Sequence, residues 1–192
     1  MFRKYSEMEF NPSQLVESFA GICKELILRP RSFFQNLPRE GNVRYPLFFL
    51  IICVFLSSLF MANILEGDYR IFLILFAANM LSAFIVSTLL HGLATKAFGG
   101  NAPFMATFRI VAYSSLMDIA AWIPFAGTLA SFYGLYLMFL GLQEIHSLKP
   151  RQAGYAVIII TVLALGMGVM AASAWKDVLH LPESSLLFTE PK

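Results

Sequence analysis

Long uninterrupted runs of apolar residues occupy most of the chain after residue 45. Uncharged stretches of 21, 25, 25 and 24 residues lie between Arg44 and Glu66, Arg70 and Lys96, Asp118 and Glu144, and Arg151 and Lys176. A helix needs about 20 apolar residues to cross a hydrocarbon core of roughly 30 Å. The pattern therefore predicts an all-α protein, a polytopic bundle of membrane helices.

The apolar region from Phe104 to Glu144 is too long for one crossing and is interrupted in its middle. Pro124 disfavours helix at the residue before it, and Gly127 permits a turn. The interpretation is two helices joined by a hairpin. The count is then five crossings, near residues 46–65, 71–92, 104–122, 125–146 and 154–175. A single kinked helix with a re-entrant piece remains the alternative.

The N-terminal arm has a different pattern. In residues 13–28, apolar side chains recur at helical spacing at Leu15, Phe19, Ile22 and Leu26, with charges elsewhere on the helix. The segment is too short and too charged to span, so it predicts an amphipathic helix in the cytoplasmic interface. A helix folded onto the bundle's own cytoplasmic face is the alternative, and the two are compatible.

Prolines mark the helix boundaries of this arm. Asn11 suits a cap position and Pro12 the first turn of a helix. Pro30 ends the first helix and begins a short second one. Arg29 and Arg31, on either side of Pro30, are predicted to contact anionic lipid headgroups.

Composition supports a membrane protein and excludes other classes. Of the residues 58% are hydrophobic and 14% charged, against roughly 25% charged in a soluble domain. The net charge of +2 is too small for a nucleic-acid binder, so no nucleic-acid partner is expected. Cys23 and Cys53 are too few for a disulfide framework. The first 40 residues lack the apolar core of a signal peptide.

The distribution of basic residues predicts the orientation. With five crossings, 11 Lys and Arg residues lie on the N-terminal side and 3 on the other. The positive-inside rule then places the N-terminus in the cytoplasm and the C-terminus outside. This divides the chain into a cytoplasmic arm (1–45), a transmembrane domain (46–175) and a short extracytoplasmic tail (176–192).

Polar residues inside the second crossing form a stripe. It comprises Asn79, Ser82, Ala83, Ser87 and His91, spaced three or four apart. Such residues face other helices, either to hydrogen-bond between helices or to line a path. Asp118, near the outer end of the third crossing, completes this candidate intramembrane polar site. It is predicted to pair with Arg70 or Lys176, with a proton or ion relay as the alternative.

A candidate cytoplasmic cluster comprises Arg109, Glu144 and His146. Arg109 and Glu144 lie at matching depths and are predicted to pair. His91 lies at the same level, and two imidazoles with a carboxylate are metal-ligand types. Glu144 and His146 are two residues apart, however, and point to opposite helix faces. No metal is therefore predicted, and a metal-dependent membrane enzyme using both histidines is the weakest hypothesis.

Small residues also recur every four positions in the last two crossings. The rows are Ala126, Ala130 and Gly134, and Ala164, Gly168 and Ala172. They permit close helix packing, within one chain or in a homo-oligomer. No nucleophile elbow, zinc motif, C-x-x-C or P-loop is present, so the sequence predicts no enzyme and no cofactor.

One long segment resembles a known family. Residues 91–115 (HGLATKAFGGNAPFMATFRIVAYSS) and 123–153 (IPFAGTLASFYGLYLMFLGLQEIHSLKPRQA) are similar to the Ypt-interacting-protein (Yip) domain family. The matching features are Gly99-Gly100, Ile123-Pro124 with Gly127, Gly141-Leu142, His146 and Ala153. Pro30 with Phe33-Phe34 and Leu37 is similar to the corresponding segment of prokaryotic members.

The resemblance implies five membrane helices, a cytoplasmic N-terminus and, for a prokaryotic-type member, the inner membrane. Eukaryotic members associate with Rab-type GTPases, but their acidic cytoplasmic region with an Asp-Leu-Tyr-Gly-Pro-type motif is missing, so GTPase binding is not expected. Asp118 departs from the proline common in the family near this position. The chain is thus expected to be an interaction or membrane-organising module that contacts lipids and a membrane or cytoplasmic protein. A small transporter or channel is the alternative.

Overall fold

A computed structural model describes residues 10–65 and 69–179, and every regular element in those ranges is helical. The helices are α1 (Leu15–Leu28), α2 (Pro30–Asn36), α3 (Arg44–Ile64), α4 (Tyr69–Gly92), α5 (Phe104–Ser114), α6 (Ala126–His146) and α7 (Pro150–Leu179). Short 3₁₀ segments precede α1 (Pro12–Gln14) and follow α5 (Ser115–Ala120), and a π-helical turn (Leu93–Ala97) extends α4. The predicted all-α class is confirmed.

Three helices of the described chain are long and apolar enough to cross a membrane. They span Arg44–Ile64, Tyr69–Ala97 and Pro150–Met170. Their bounds follow the predicted first, second and fifth crossings closely. The chain is therefore a membrane-type helical bundle, and the predicted count of five depends on the two helices between them.

The two helices between them, α5 and α6, form the expected hairpin. By helical rise, α5 with its 3₁₀ extension is about 28 Å long and α6 about 31 Å. The chain reverses at residues 121–125, beside Pro124, where Phe125 takes φ 70°. At Gly127 an added Cβ would lie 2.6 Å from the carbonyl oxygen of Ala121. Gly127 thus permits close approach of the chain, whereas the positive φ of this turn falls on Phe125.

The arm and the bundle share one hydrophobic core. Tyr113 of α5 lies at its centre, with ring-centroid distances of 5.1 Å to Phe33 of α2 and 5.0 Å to Phe49 of α3. Phe10 lies 5.8 Å from Phe49, and Phe34 is also buried. Because these aromatic residues interlock, α2 is part of the bundle.

Helix α1 packs with one face against the bundle. Ile22 and Leu26 are buried, and the Tyr133 hydroxyl of α6 contacts the carbonyl oxygens of Leu26 and Ile27 at 3.0 and 3.1 Å. Asn11 accepts a bond from Ser13 N as a cap, as predicted. This arrangement agrees with the alternative of a helix folded onto the bundle. The interfacial placement stays a prediction, and exposed Leu15, Val16, Ile27 and Leu28 are the side chains left for lipid.

The small-residue rows differ in what they contact. In α6, a Cβ added to Gly134 would lie 3.4 Å from Met117, and one added to Gly141 would lie 2.6 Å from Ile110. These glycines therefore pack within the chain. A Cβ added to Gly168 of α7 would meet no atom within 4 Å, so a homo-oligomer stays a prediction. The tail beyond residue 179 lies outside the described residues.

Candidate functional site

A cavity of about 530 Å³ lies between α3, α4, the 3₁₀ segment after α5, α6 and α7. Its polar lining residues are Ser57, Asn79, Ser82, Ser114, Ser115, Asp118, Ser131 and Thr161. Three residues of the predicted intramembrane site, Asn79, Ser82 and Asp118, thus face one space. The apolar lining comes from residues such as Leu50, Val54 and Met138.

Local helix geometry positions these three residues. Asn79 and Ser82 are three apart on α4, so their side chains lie on neighbouring turns of one face. The side-chain amide of Asn79 donates to Ser58 Oγ of α3 at 3.4 Å. This bond orients the Asn79 carbonyl oxygen without using any hydroxyl group of the cavity wall. Asp118 is carried by the tighter 3₁₀ segment, which begins where α5 ends.

Three of the six hydroxyl groups at the cavity wall have already used their protons. Ser115 donates to the carbonyl of Ala112 at 2.7 Å, Ser131 to Gly127 at 2.9 Å, and Thr161 to Val157 at 2.8 Å. Each bond stays within the residue's own helix or turn. Ser114 differs: its Oγ is buried and has no hydrogen-bond partner among the described residues.

The expected ion pair of Asp118 with Arg70 is not formed. No salt bridge joins them in the described chain, and the Arg70 guanidinium lies beside the hydroxyl and ring of Tyr69. The side chain of Lys176, the other predicted partner, lies outside the described residues. The carboxylate instead lines the cavity and keeps exposed surface.

The other two members of the predicted stripe lie elsewhere. Ser87 is fully buried and donates to the Ala83 carbonyl of its own helix at 2.7 Å. His91 Nδ1 lies 3.0 Å from Thr107 Oγ1, and the same hydroxyl lies 2.8 Å from His146 Nε2. One turn of α5 thereby joins the end of α4 to the end of α6.

Because both imidazoles contact the Thr107 hydroxyl, they must take different hydrogen-bonding roles. A hydroxyl has one proton to donate, so one ring nitrogen accepts from it and the other donates to it. Thr107 is fully buried, and His146 is 2% exposed. His146 Nδ1 has no partner among the described residues, and a Cβ on Gly100 would lie 2.8 Å from it. The histidines are therefore held in a packed helix junction.

The predicted pairing of Arg109 with Glu144 is wrong. Glu144 accepts from Arg31 Nε at 2.6 Å and from Gln35 Nε2 at 3.0 Å, both on α2. Arg109 is fully buried and donates to the carbonyl oxygens of Asn42 and Met105 at 3.3 and 3.5 Å. Within the described chain, the partners of Glu144 therefore come from the arm and not from α5.

The three candidate metal ligands are likewise not gathered. Glu144 is bound to the arm, whereas His91 and His146 meet at Thr107. The described ranges contain no group of three or more His, Cys, Asp or Glu side chains that suits a metal ion. The metal-enzyme hypothesis therefore lacks the carboxylate it required.

Of the two arginines predicted to contact headgroups, one has a protein partner. Arg31 keeps 65% of its side chain exposed while one nitrogen contacts Glu144. Arg29 is exposed at the junction of α1 and α2.

The sequence reasoning missed two side chains that make contacts in these clusters, Gln35 and Thr107. Gln35 lies four residues after Arg31, and this helical spacing predicts that both reach one acceptor. For Thr107, the one indication in the sequence was its position near the start of α5, at the same membrane depth as the end of α4. Neither signal identifies the partner, which comes from a distant segment in both cases.

The comparison with protein families gives one finding. A model of the Yip1 domain matches residues 24–172. No curated protein and no solved structure matches the chain.

Proposed function

The chain belongs to the Yip1 domain family, and on that premise we propose that it is a five-crossing membrane protein whose cytoplasmic end binds anionic lipid headgroups. It would act as an interaction or membrane-organising module in the inner membrane of a bacterial cell. The family is not a known enzyme family, and the proposal involves no catalysis.

The topology carries the first part of the proposal. The hairpin helices add two segments of near-spanning length to the three long apolar helices. Outside the five proposed crossings, Lys and Arg are concentrated in the N-terminal arm and in the connections between the second and third and between the fourth and fifth crossings. This bias favours a cytoplasmic N-terminus. A reporter fused after Lys192 is expected outside the cytoplasm. A cytosolic reporter would favour the re-entrant alternative and move the basic surface.

Exposed basic side chains cluster at one end of the bundle. They are Arg29, Arg31, Arg39, Arg44, Lys96, Lys149 and Arg151. Among the described acidic residues of this end, Glu40 and Glu144 lie closest to them along the chain, and Glu144 is already paired with Arg31. The surface therefore keeps an excess of positive charge, and each basic residue near an anionic leaflet contributes roughly 1 kcal/mol.

The single observation that carries the proposal is the attachment of the arm at Glu144. Besides Arg31 and Gln35, the guanidinium of Arg39 reaches the Glu144 carbonyl oxygen at 3.3 Å. Buried Phe33 and Phe34 hold the same helix in the core. These contacts hold Arg31 and Arg39 at the end of α6, which supports the proposal that they share one basic surface with the cations at the starts of α3 and α7.

The test is a lipid titration of purified protein in neutral detergent. Short-chain phosphatidylglycerol is expected to bind more tightly than phosphatidylcholine, and added salt should weaken the binding. Arg151→Gln should weaken phosphatidylglycerol binding about fivefold, since it removes one surface cation.

Asn63→Asp is the matched control, because it shifts the charge by the same amount at the other end of α3. It should leave the affinity unchanged. Equal binding of both lipids, or equal losses in both variants, would contradict the proposal. Deleting residues 1–40 is a poorer test, since it removes Phe33 and Phe34 from the core.

A small transporter or channel is a second candidate, favoured by the cavity that gathers Asn79, Ser82 and Asp118. Flux of an ion into proteoliposomes is the measurement. Replacing Asn79 and Asp118 with Leu should abolish it, and an absence of flux in the parent protein would eliminate this candidate.

A further inference from the structure

The cavity between the helices holds a negative charge that its surroundings leave unneutralised. Asp118 is the only charged residue among the described residues that line it. Among the side chains that the structure describes, which do not include Lys176, no Lys, Arg or His nitrogen lies within 4 Å of the Asp118 carboxylate. A charge inside a membrane bundle is costly unless it is paired, hydrated or protonated. Asp118 therefore needs water, a proton or a bound ligand, because the described protein groups supply no opposite charge.

Three of the six hydroxyl groups around it, together with the Asn79 amide, present acceptor oxygens. Ser115, Ser131 and Thr161 direct their protons to backbone carbonyls, so their lone pairs are what remains for the cavity. Asn79 uses an amide hydrogen on Ser58 and keeps its carbonyl oxygen. A wall of this kind complements a cation better than an anion.

Ser114 supplies independent support for an absent ligand. It is 2% exposed, its Oγ has no partner among the described residues, and it lines the cavity. Leaving a buried hydroxyl unpaired costs roughly 1–3 kcal/mol. The neighbouring Ser115 avoids this cost with a backbone bond, so the open hydroxyl of Ser114 is a specific feature of this wall.

We propose that this cavity binds one monovalent inorganic cation of the sodium or potassium class, with the Asp118 carboxylate as the charged ligand. Asn79 Oδ1 and Ser114 Oγ would be neutral oxygen ligands. The site goes beyond the proposed lipid surface, and it does not require transport, since binding and flux are separate measurements.

Charge and size both favour this ligand. One carboxylate matches a single positive charge, whereas calcium sites usually recruit several carboxylates. No imidazole or thiol lines the cavity, which disfavours softer transition metals. At about 30 Å³ per water, the cavity has room for a cation with on the order of ten waters.

The experiment is isothermal titration calorimetry of the full chain in nanodiscs of neutral lipid. The protein is kept in N-methylglucamine chloride and titrated with NaCl, KCl or LiCl at constant ionic strength. At least one cation should give saturable binding with a stoichiometry near one. Asp118→Asn should weaken it at least about tenfold, and Ser114→Ala about threefold.

Glu17→Gln is the control, since it makes the same kind of change at an exposed position on α1. It and Arg151→Gln should leave the titration unchanged, which separates this site from the lipid surface. If Asp118→Asn fails to fold, Ser114→Ala still tests the site. Absence of saturable binding for all three cations, or unchanged binding in both cavity variants, would overturn the proposal. A response to pH alone would assign the carboxylate to a proton instead and overturn it too.

Discussion

The helix junction at Thr107 and the interhelical cavity differ in how completely their polar residues are paired. At the junction, Thr107 meets two histidines and Glu144 meets two side chains of α2. In the cavity, Asp118 has no described cation partner and Ser114 no described hydrogen-bond partner. Paired groups hold helices together, whereas unpaired groups around an open space are suited to a ligand.

This difference has an energetic consequence. Breaking a satisfied buried contact leaves a desolvated group behind, so substitutions at the junction should destabilise the protein. Removing a group that has no partner should change the free energy of unfolding little. Measured stabilities therefore distinguish the two regions, and ligand binding should show the reverse order.

The largest loss of stability is expected where the arm enters the core. Phe33→Ala removes a ring that is 1% exposed and lies 5.1 Å from the Tyr113 ring. The free energy of unfolding in detergent should fall by about 3 kcal/mol, because a cavity is left behind. Phe132→Ala, at a position 66% exposed on α6, is the control and should change little. Equal effects would mean that α2 does not pack as described.

Close packing of α5 against α6 should give the next largest effect. At Gly141 a new Cβ would lie 2.6 Å from Ile110 Cγ2, and a β-branched side chain is stiff. Gly141→Ala should lower the thermal unfolding midpoint, with a cost of about 1–3 kcal/mol. Gly166→Ala on α7, where no atom lies within 4 Å, should be neutral or stabilising. A Gly141→Ala variant with a higher unfolding midpoint than the parent would contradict the close approach of Gly141 to Ile110.

The junction itself is tested at Thr107. Thr107→Val keeps the shape of the side chain but removes the hydroxyl that contacts His91 and His146. We expect a loss of about 1–2 kcal/mol in unfolding free energy. Thr107→Ser should retain most of the stability. Thr88→Val, at an exposed position that bonds only its own helix, should have no effect, and a loss there equal to that at Thr107 would remove the special role of the junction.

The sequence predicted the helices well because their signals are local. Run length and charge spacing located the long crossings, and Pro124 located the hairpin. The structure divides the predicted stripe on α4: Asn79 and Ser82 line the cavity, while His91 contacts Thr107 at the junction. Side-chain spacing predicts which residues share one face of a helix, but it does not predict which other element packs on that face.

The wrong pairing of Glu144 shows the same limit. Matching depth made Arg109 a reasonable partner within the bundle, yet Arg31 lies 113 positions away along the chain. Its approach depends on how the arm folds back, which no local pattern encodes. Thr107 was missed for a related reason, since a threonine in an apolar helix has no distinctive spacing.

The smallest expected effect on stability compares two adjacent serines of the cavity wall. Ser115→Ala removes a 2.7 Å bond to the Ala112 carbonyl and should cost about 1 kcal/mol. Ser114→Ala removes a buried hydroxyl without a described partner and should change the unfolding free energy by less than about 0.5 kcal/mol, or raise it.

The measurement is made in N-methylglucamine, where no cation of the proposed class is present. Adding sodium or potassium should then stabilise the parent more than the Ser114→Ala variant, because a ligand stabilises the folded state according to its affinity. A loss at Ser114 as large as that at Ser115 would show that its hydroxyl is already satisfied, and the contrast between cavity and junction would fail at its most sensitive point.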